Sequence, residues 1–468
     1  MKNLIILSIF IKIFFTLFVS YDAYNHKNHF SIDIKSKYFC NNDEDLIANI
    51  AHTLVKTNQF RSTNINYSTN EIYYKKTIFC PVFPVYIHVE FMYVYEFLTK
   101  RTLSAVDVFN WENPGRNSHY FYCYSIFIRI LSLILFIASI FPFIRLIKHC
   151  GIEHKTLRTS IAILYILFPS CFIYVGLLTQ YENIALPCLI ITIESIINVF
   201  ILRKVESKIV LFIKTLLIVF STLIRPQVTI VLFIVMLFVV LLLVTDYLKN
   251  KMRPTISATY LILYISVGII ISHGSIVLHN YFKVWDEPVY NTRGDALLIG
   301  HNPLAKGSWD GHFAIPGSKS YNYQLKSIPN FINLSEVELS KAQTKLAKQW
   351  IISNPKEELI LICRKIGIFF LPYNYEHLRF DIILFLVYIS TIFLMSYSFY
   401  KIIFRLRTMN FREPVFLIQI VVLSVLSINV LYFVEYRIRY FADPFMLLLF
   451  GVLLQNLIIY AETNFSKK

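Results

Sequence analysis

Long apolar runs separated by short polar connectors dominate the chain, and their period sets the first expectation. Stretches such as "LSLILFIASIFPFI" and "VTIVLFIVMLFVVLLLVTDYL" are continuously apolar. With their flanks they reach the roughly 20 residues that a helix needs to cross about 30 Å of hydrocarbon. Strands of a membrane barrel would alternate apolar and polar positions instead, so the pattern predicts an all-α polytopic membrane protein. About ten transmembrane helices are expected: Leu4 to Tyr21, Phe121 to Ile147, Thr159 to Leu178, Asn183 to Leu202, Val210 to Ile224, Thr229 to Tyr247, Ser257 to Leu278, Phe380 to Ile403, Pro414 to Val434 and Phe441 to Ile459. The first reads as a retained anchor, because Lys12 interrupts it and no small-x-small cleavage site follows.

Two polar stretches stand out as large extracytoplasmic loops, Asp22 to Tyr120 and Asn280 to Arg379. They divide the chain into a transmembrane catalytic module at 1–279 that includes the first outer loop (22–120), an outer loop with interfacial helices at 280–379, and C-terminal transmembrane helices at 380–468. Within the first loop, Phe79 to Leu98 mixes Pro81, Pro84, His88, Glu90 and Glu96 with aromatics and reads as an interfacial or re-entrant helix.

Composition agrees with the pattern: 56% of the 468 residues are hydrophobic, too many for a chain that must cover its core with polar surface. The net charge of +16 would suit nucleic acid or a lipid surface, and the placement of the charges favours lipid. Basic residues crowd the connectors Arg145 to Arg158, Arg203 to Lys208, Lys249 to Arg253 and Lys401 to Arg412, and the end at Lys467 and Lys468. With the amino terminus inside, all of these fall on the cytoplasmic side, as the positive-inside rule asks. The same topology puts the two long loops, the "TQYEN" turn (Thr179 to Asn183), the "IRPQ" junction (Ile224 to Gln227) and "EYRIRY" (Glu435 to Tyr440) on the outer face. The cysteines show no C-x-x-C or metal spacing; Cys40 and Cys80 bracket one outer segment and would pair only in an oxidising compartment.

Against this basic background, "NNDED" places Asp43, Glu44 and Asp45 at the start of an amphipathic stretch with Ile47, Ile50, Ala51 and Leu54 at helical spacing. Capping and the helix dipole account for one or two acids there. A carboxylate at a helix start beside the membrane also suits a general base that deprotonates a hydroxyl, and a second carboxylate can position an acceptor or a divalent cation. Arg437, Arg439 and Arg225 lie on the same face, and a guanidinium fork binds phosphate oxygens in two places. Snorkelling from a helix end accounts equally well for Arg225. Glu182 is a second acid at an outer boundary. Trp309, in "GHNPLAKGSWDGH", could stack on a sugar, whereas His301 and His312 are too weakly arranged for metal ligands.

Taken in order, these motifs resemble the integral-membrane glycosyltransferases of the C superfamily, in the branch related to dolichyl-phosphate-mannose protein mannosyltransferases. "NNDEDLIANIAHTL" is similar to the first-loop Asp-Glu motif, "CPVFPVYI" to the Pro-x-x-Pro segment, and "LFPSCFIYVGLLTQYENIALP" to the span, turn and acid. "STLIRPQ" is similar to the Arg-Pro helix, "ALLIGHNPLAKGSWDG" to the loop of the bacterial, polyprenyl-phosphate-sugar-dependent branch, "AKQWIISNPKEELILICRKIGIFF" to the helix pair after it, and "RIRYFADPFMLLLF" to the last outer loop and span. The resemblance implies the C-superfamily glycosyltransferase fold and an inverting transfer of a sugar from a polyprenyl-phosphate donor to a lipid, glycan or protein on the outer face. It makes Asp43 the catalytic base and Glu44 its partner, and places Glu182, Arg225, Arg437 and Arg439 around donor phosphate or acceptor. Ile47 and Tyr181 stand where the family often has an aromatic residue and a serine, which bears on the substrate. A bacterial plasma membrane or an endoplasmic reticulum would house such an enzyme. Two rivals remain: a lipid or glycolipid transporter, which would use Glu194, Lys214 and His273 within the bilayer, and a glycosylphosphatidylinositol-type mannosyltransferase.

Overall fold

The computed structural model describes residues 2–25, 42–58, 60–66, 71–76, 82–103, 119–167, 181–250, 255–285, 294–308, 317–371, 382–404 and 413–465. The helices are α1 (Lys2–Asn25), α2 (Asn42–Thr57), α3 (Val82–Thr99), α4 (His119–His149), α5 (Lys155–Leu167), α6 (Glu182–Ile196), α7 (Lys208–Ile224), α8 (Gln227–Asn250) and α9 (Ile256–Asn280). They continue with α10 (Gly294–Gly300), α11 (Lys319–Ser327), α12 (Glu336–Ser353), α13 (Pro355–Phe369), α14 (Ile382–Phe404), α15 (Pro414–Leu431), the single turn α16 (Tyr436–Arg439) and α17 (Asp443–Phe465).

Six of the described helices are long and apolar enough to cross a membrane: Cys123–His149, Glu182–Ile201, Gln227–Leu248, Ile256–Asn280, Pro414–Leu431 and Asp443–Asn464. The other four expected spans fall on α1, α5, α7 and α14, and the span expected at Thr159 to Leu178 leaves the described residues after Leu167. Large apolar side chains on α8 and α9 such as Phe233, Leu241, Ile270 and Ile271 are exposed, as a lipid-facing surface requires. Apolar residues all round mark α6 as a core helix. Every residue from Glu182 to Ile201 is buried, α4 and α7 pack along it, and its last turn, Ile197–Ile201, widens to a π-helix.

Two local details show how the sequence seats these helices. Gly268 of α9 lets α7 approach, since a Cβ there would meet Val219 at 2.8 Å. Lys12, the charge within the first apolar run, is buried in α1 with Nζ 4.2 Å from the Phe136 ring centroid and 3.5 Å from the Ile166 carbonyl. One departure from the all-α expectation lies in the first outer loop. There β1 (Arg61–Asn66) pairs antiparallel with β2 (Glu71–Lys76), from Arg61 opposite Lys76 to Asn66 opposite Glu71. Thr63, Ile65, Ile72, Tyr73 and Tyr74 supply the β-branched and aromatic residues that favour strands.

Candidate functional site

The acid cluster does open a helix. α2 starts at Asn42, so Asp43, Glu44 and Asp45 occupy its first turn, where acids complement the helix dipole. Its buried face is Ile47, Ala48, Ile50 and Ala51, and it packs on α3, to which Lys56 and Glu96 add a contact at 3.9 Å. Glu96 also accepts the Leu103 N–H at 2.7 Å, which fixes the exit of α3. In turn α3 lies against α4 and α7, with Phe83 edge-on to Phe220 near the end of α7.

Glu182, the first residue of α6, meets Arg225 at that end of α7. Their ion pair is 2.5 Å long, and both side chains are largely buried. The geometry follows from the local sequence. Pro226 excludes Arg225 from the helical region, so Arg225 ends α7 in an extended conformation (φ −136°, ψ 96°), and α8 restarts at Gln227. That break throws the guanidinium across to the first residue of α6. Among the described residues, Glu182 Oε2, Arg225 Nε and the neighbouring Gln227 Oε1 are buried with no hydrogen-bond partner. Buried polar atoms are paired in more than 90% of cases, so three unmet groups at one junction leave capacity for a polar ligand.

Beside this pair runs a column of aromatic groups that the sequence did not announce. The Tyr124 hydroxyl lies 2.5 Å from that of Tyr181, the residue before Glu182. His88 stacks on Tyr124 with centroids 3.6 Å apart, and its Nδ1 is 3.1 Å from the Tyr120 hydroxyl. From α9, His279 Nε2 is 3.0 Å from the Tyr86 hydroxyl, closing the ring of helices around α3. The signal was the density of Tyr and His in α3 and the start of α4; their partners lie too far apart in sequence to pair by spacing.

The second outer loop is joined to the last helices by a buried clamp. His301 follows α10, with Nδ1 3.0 Å from Glu358 Oε2 and Nε2 2.7 Å from the Leu431 carbonyl. Lys365 donates from Nζ to the carbonyls of Val430 at 2.8 Å and Tyr432 at 2.7 Å. The last carbonyls of a helix have no partner within it, so Lys365 and His301 cap the C-terminus of α15, where the dipole favours cations. Burial pushes Lys365 down to about 8, with Glu358 opposing the shift. Only glycine fits at 300, because a Cβ would sit 1.6 Å from the Tyr432 carbonyl oxygen. The Val434 N–H donates to the Gly307 carbonyl at 2.8 Å, and Ser308 bridges Val434.

This clamp leads straight into α16. Arg439 is buried, donates from Nη1 to the carbonyls of Leu371 at 2.8 Å and Phe369 at 3.3 Å, and lies 5.1 Å from the Tyr388 ring centroid. Tyr388 donates to Asp443 Oδ1 at 3.1 Å. Arg439 thus ties α13 to α14 and α17. Arg437 sits on the same turn, and its side chain, like those of Asp43 and Glu44, is outside the described set. Trp309, His312, Cys40 and Cys80 also lie outside the described residues. Among the described residues, no group of three or more His, Cys, Asp or Glu side chains is arranged to hold a metal ion.

Facing the basic connectors is a different cluster. Glu194 is fully buried, with Oε1 2.6 Å from Arg145 Nε and 2.5 Å from Asn198 Nδ2. Lys214 lies 3.4 Å from Glu194 Oε2 and 2.8 and 2.9 Å from the two Glu206 oxygens, and Ser195 is 3.2 Å away. Asn198 belongs to the π turn of α6, and the Ser257 hydroxyl accepts the Glu206 N–H at 3.3 Å. In sequence Arg145 and Glu206 stand within basic connectors, with nothing to mark them as partners of Glu194 and Lys214.

No protein-family description and no curated protein matches the chain. Among solved structures it is similar to the archaeal oligosaccharyltransferase AglB from Archaeoglobus fulgidus, in complex with an inhibitory peptide and a dolichol-phosphate. The TM-score is 0.48 at 11% sequence identity, over 100% of this chain and 51% of that one, so the chain spans about half the length of that structure.

Proposed function

We propose that the chain is an integral-membrane glycosyltransferase that moves a sugar from a polyprenyl-phosphate donor to a lipid, glycan or protein at the outer face of the membrane. The observation that carries this reading is the buried Glu182–Arg225 pair with its unmet polar atoms at the end of α7, the helix against which α3, and through it the acid-first helix α2, is packed. The order of motifs resembling the C superfamily supports the same reaction.

In this reading Asp43 takes the proton of the acceptor hydroxyl as it attacks the anomeric carbon from the face opposite the leaving phosphate, which inverts configuration. Glu44 orients the acceptor. The leaving group is already an anion, so it needs charge stabilisation more than a proton. Arg437 supplies that charge, while Arg439, through its carbonyl bonds, holds the turn in place. Arg225 Nε and Glu182 Oε2, both without a hydrogen-bond partner among the described residues, would bind remaining hydroxyls of donor or acceptor. Trp309 offers a stacking surface for a sugar.

A lipid-phosphate donor suits a site at a membrane boundary on the face away from the basic connectors, since a soluble nucleotide sugar would be met on the other side. Glu194 and Lys214, which a transporter would need free within the bilayer, pair with Arg145 and Glu206. The test is to supply membranes containing the protein with a panel of labelled polyprenyl-phosphate sugars. Label appearing in a lipid, glycan or protein supports the reading. Glycolipid translocation without transfer of any sugar would replace it with transport.

A further inference from the structure

α13 is turned inside out for a helix on an aqueous loop. The side it buries carries Glu358, Leu361, Lys365 and Phe369, so two ionisable residues face inward. The opposite side exposes Leu359 and Ile360, each 62% accessible, together with Cys363 and Ile366. At 3.6 residues per turn these four share a sector roughly 120° wide, the width of an apolar stripe that seeks a partner. Ile352, 79% exposed near the end of α12, extends the stripe beyond the helix junction.

The clamp fixes the height of this stripe. Lys365 holds the carbonyls of Val430 and Tyr432 at the end of α15, a helix long and apolar enough to cross a membrane. Leu431, between them, is 50% exposed, so the end of α15 that Lys365 caps also presents apolar surface. The 15 residues of α13 reach only about 22 Å, too short for a hydrocarbon core of about 30 Å. Lys356, at the start of the same sector, and Arg364, about 40° beyond its edge, are exposed, where stems can lie on apolar surface while the charges reach lipid phosphates.

We propose that α13 lies in the headgroup–acyl boundary at the Leu431 end of α15, with Leu359, Ile360, Cys363 and Ile366 against lipid chains. The assignment does not depend on the reaction. Its consequence is positional: because Arg439 binds the carbonyls of Phe369 and Leu371 at the end of α13, the lipid surface sets the depth of the α16 turn.

The test uses the full chain in vesicles of phosphatidylcholine and phosphatidylglycerol. A nitroxide is attached at Cys363 with the remaining cysteines replaced by serine, in parallel with Ile360→Cys and with Lys348→Cys, an exposed position of α12. Labels at 363 and 360 should be relaxed several-fold more by oxygen than by a water-soluble nickel chelate, and the label at 348 should show the reverse. A ratio at 363 and 360 equal to that at 348 places α13 in water and overturns the proposal. Low access to both reagents means that protein, such as a second copy of the chain, covers the stripe, and also overturns it. Should the serine-substituted chain not fold, a phospholipid carrying a photoactivatable carbene in its acyl chain is applied to the unaltered protein. Adducts in the 355–371 segment are expected, and their absence while α15 is labelled counts against the helix lying in lipid.

Discussion

One helix carries both extremes of how this protein treats a buried acid. Glu194 and Glu182 lie on α6, twelve residues and so about 18 Å apart. Around Glu194 both oxygens are engaged, and the two carboxylates are matched by Arg145 and Lys214. Among the described residues Glu182 has one partner, Arg225, and polar atoms of both residues and of Gln227 remain unmet. Burying a charge costs several kcal/mol unless its geometry and hydrogen bonds are good. The inner cluster meets that condition and locks α4, α6 and α7 together; the outer pair tolerates a deficit where the proposed chemistry takes place.

The comparison breaks most visibly if the inner acid is removed. Glu194→Ala leaves Arg145 and Lys214 short of a counter-charge in the bundle, and should cost about 3–5 kcal/mol in unfolding experiments in detergent. A small change there would mean that the cluster does not hold the helices. At the outer end the order reverses: Glu182→Gln keeps the shape and an acceptor for Arg225 but removes its counter-charge, and in protein that remains folded should lower transfer about 10- to 100-fold, roughly 1.4–2.8 kcal/mol of activation free energy. Lys365→Met, which strips the carbonyls of Val430 and Tyr432 of their donor, should cost about 1–3 kcal/mol and expose 294–308 to protease.

The most gradual effect is the pH dependence that Lys365 contributes. With its folded value down at about 8 and an unfolded value near 10.4, the unfolded chain binds more protons between those limits. Stability from this group is therefore present above the unfolded value and lost as the pH falls through about 8, with a slope of at most about 1.4 kcal/mol per pH unit. The gap in melting temperature between wild type and Lys365→Met should narrow as the pH falls across that window if the clamp is as described.

The start of α2 was legible in the sequence because a capping acid and an apolar period of 3.6 occur within fifteen residues. Glu182 and Arg225 were each legible as boundary residues, but their pairing was not, since only the packing of α6 on α7 brings them together. For α13 the period was plain and its sense was not: a stripe of Leu359, Ile360, Cys363 and Ile366 reads equally as a face for a protein core or for lipid. Capping of α15 by Lys365 and His301 shows which side turned inward. The β1–β2 hairpin escaped notice because six-residue strands in a polar loop offer little alternation to read.

The central claim is that the acid-first helix performs sugar transfer, and single-turnover transfer by Asp43→Asn tests it most directly. The account predicts a loss of about 10²- to 10⁴-fold from wild type in a variant with an unchanged melting temperature, since a general base contributes on that order. Transfer at the wild-type rate by a folded Asp43→Asn protein would contradict it.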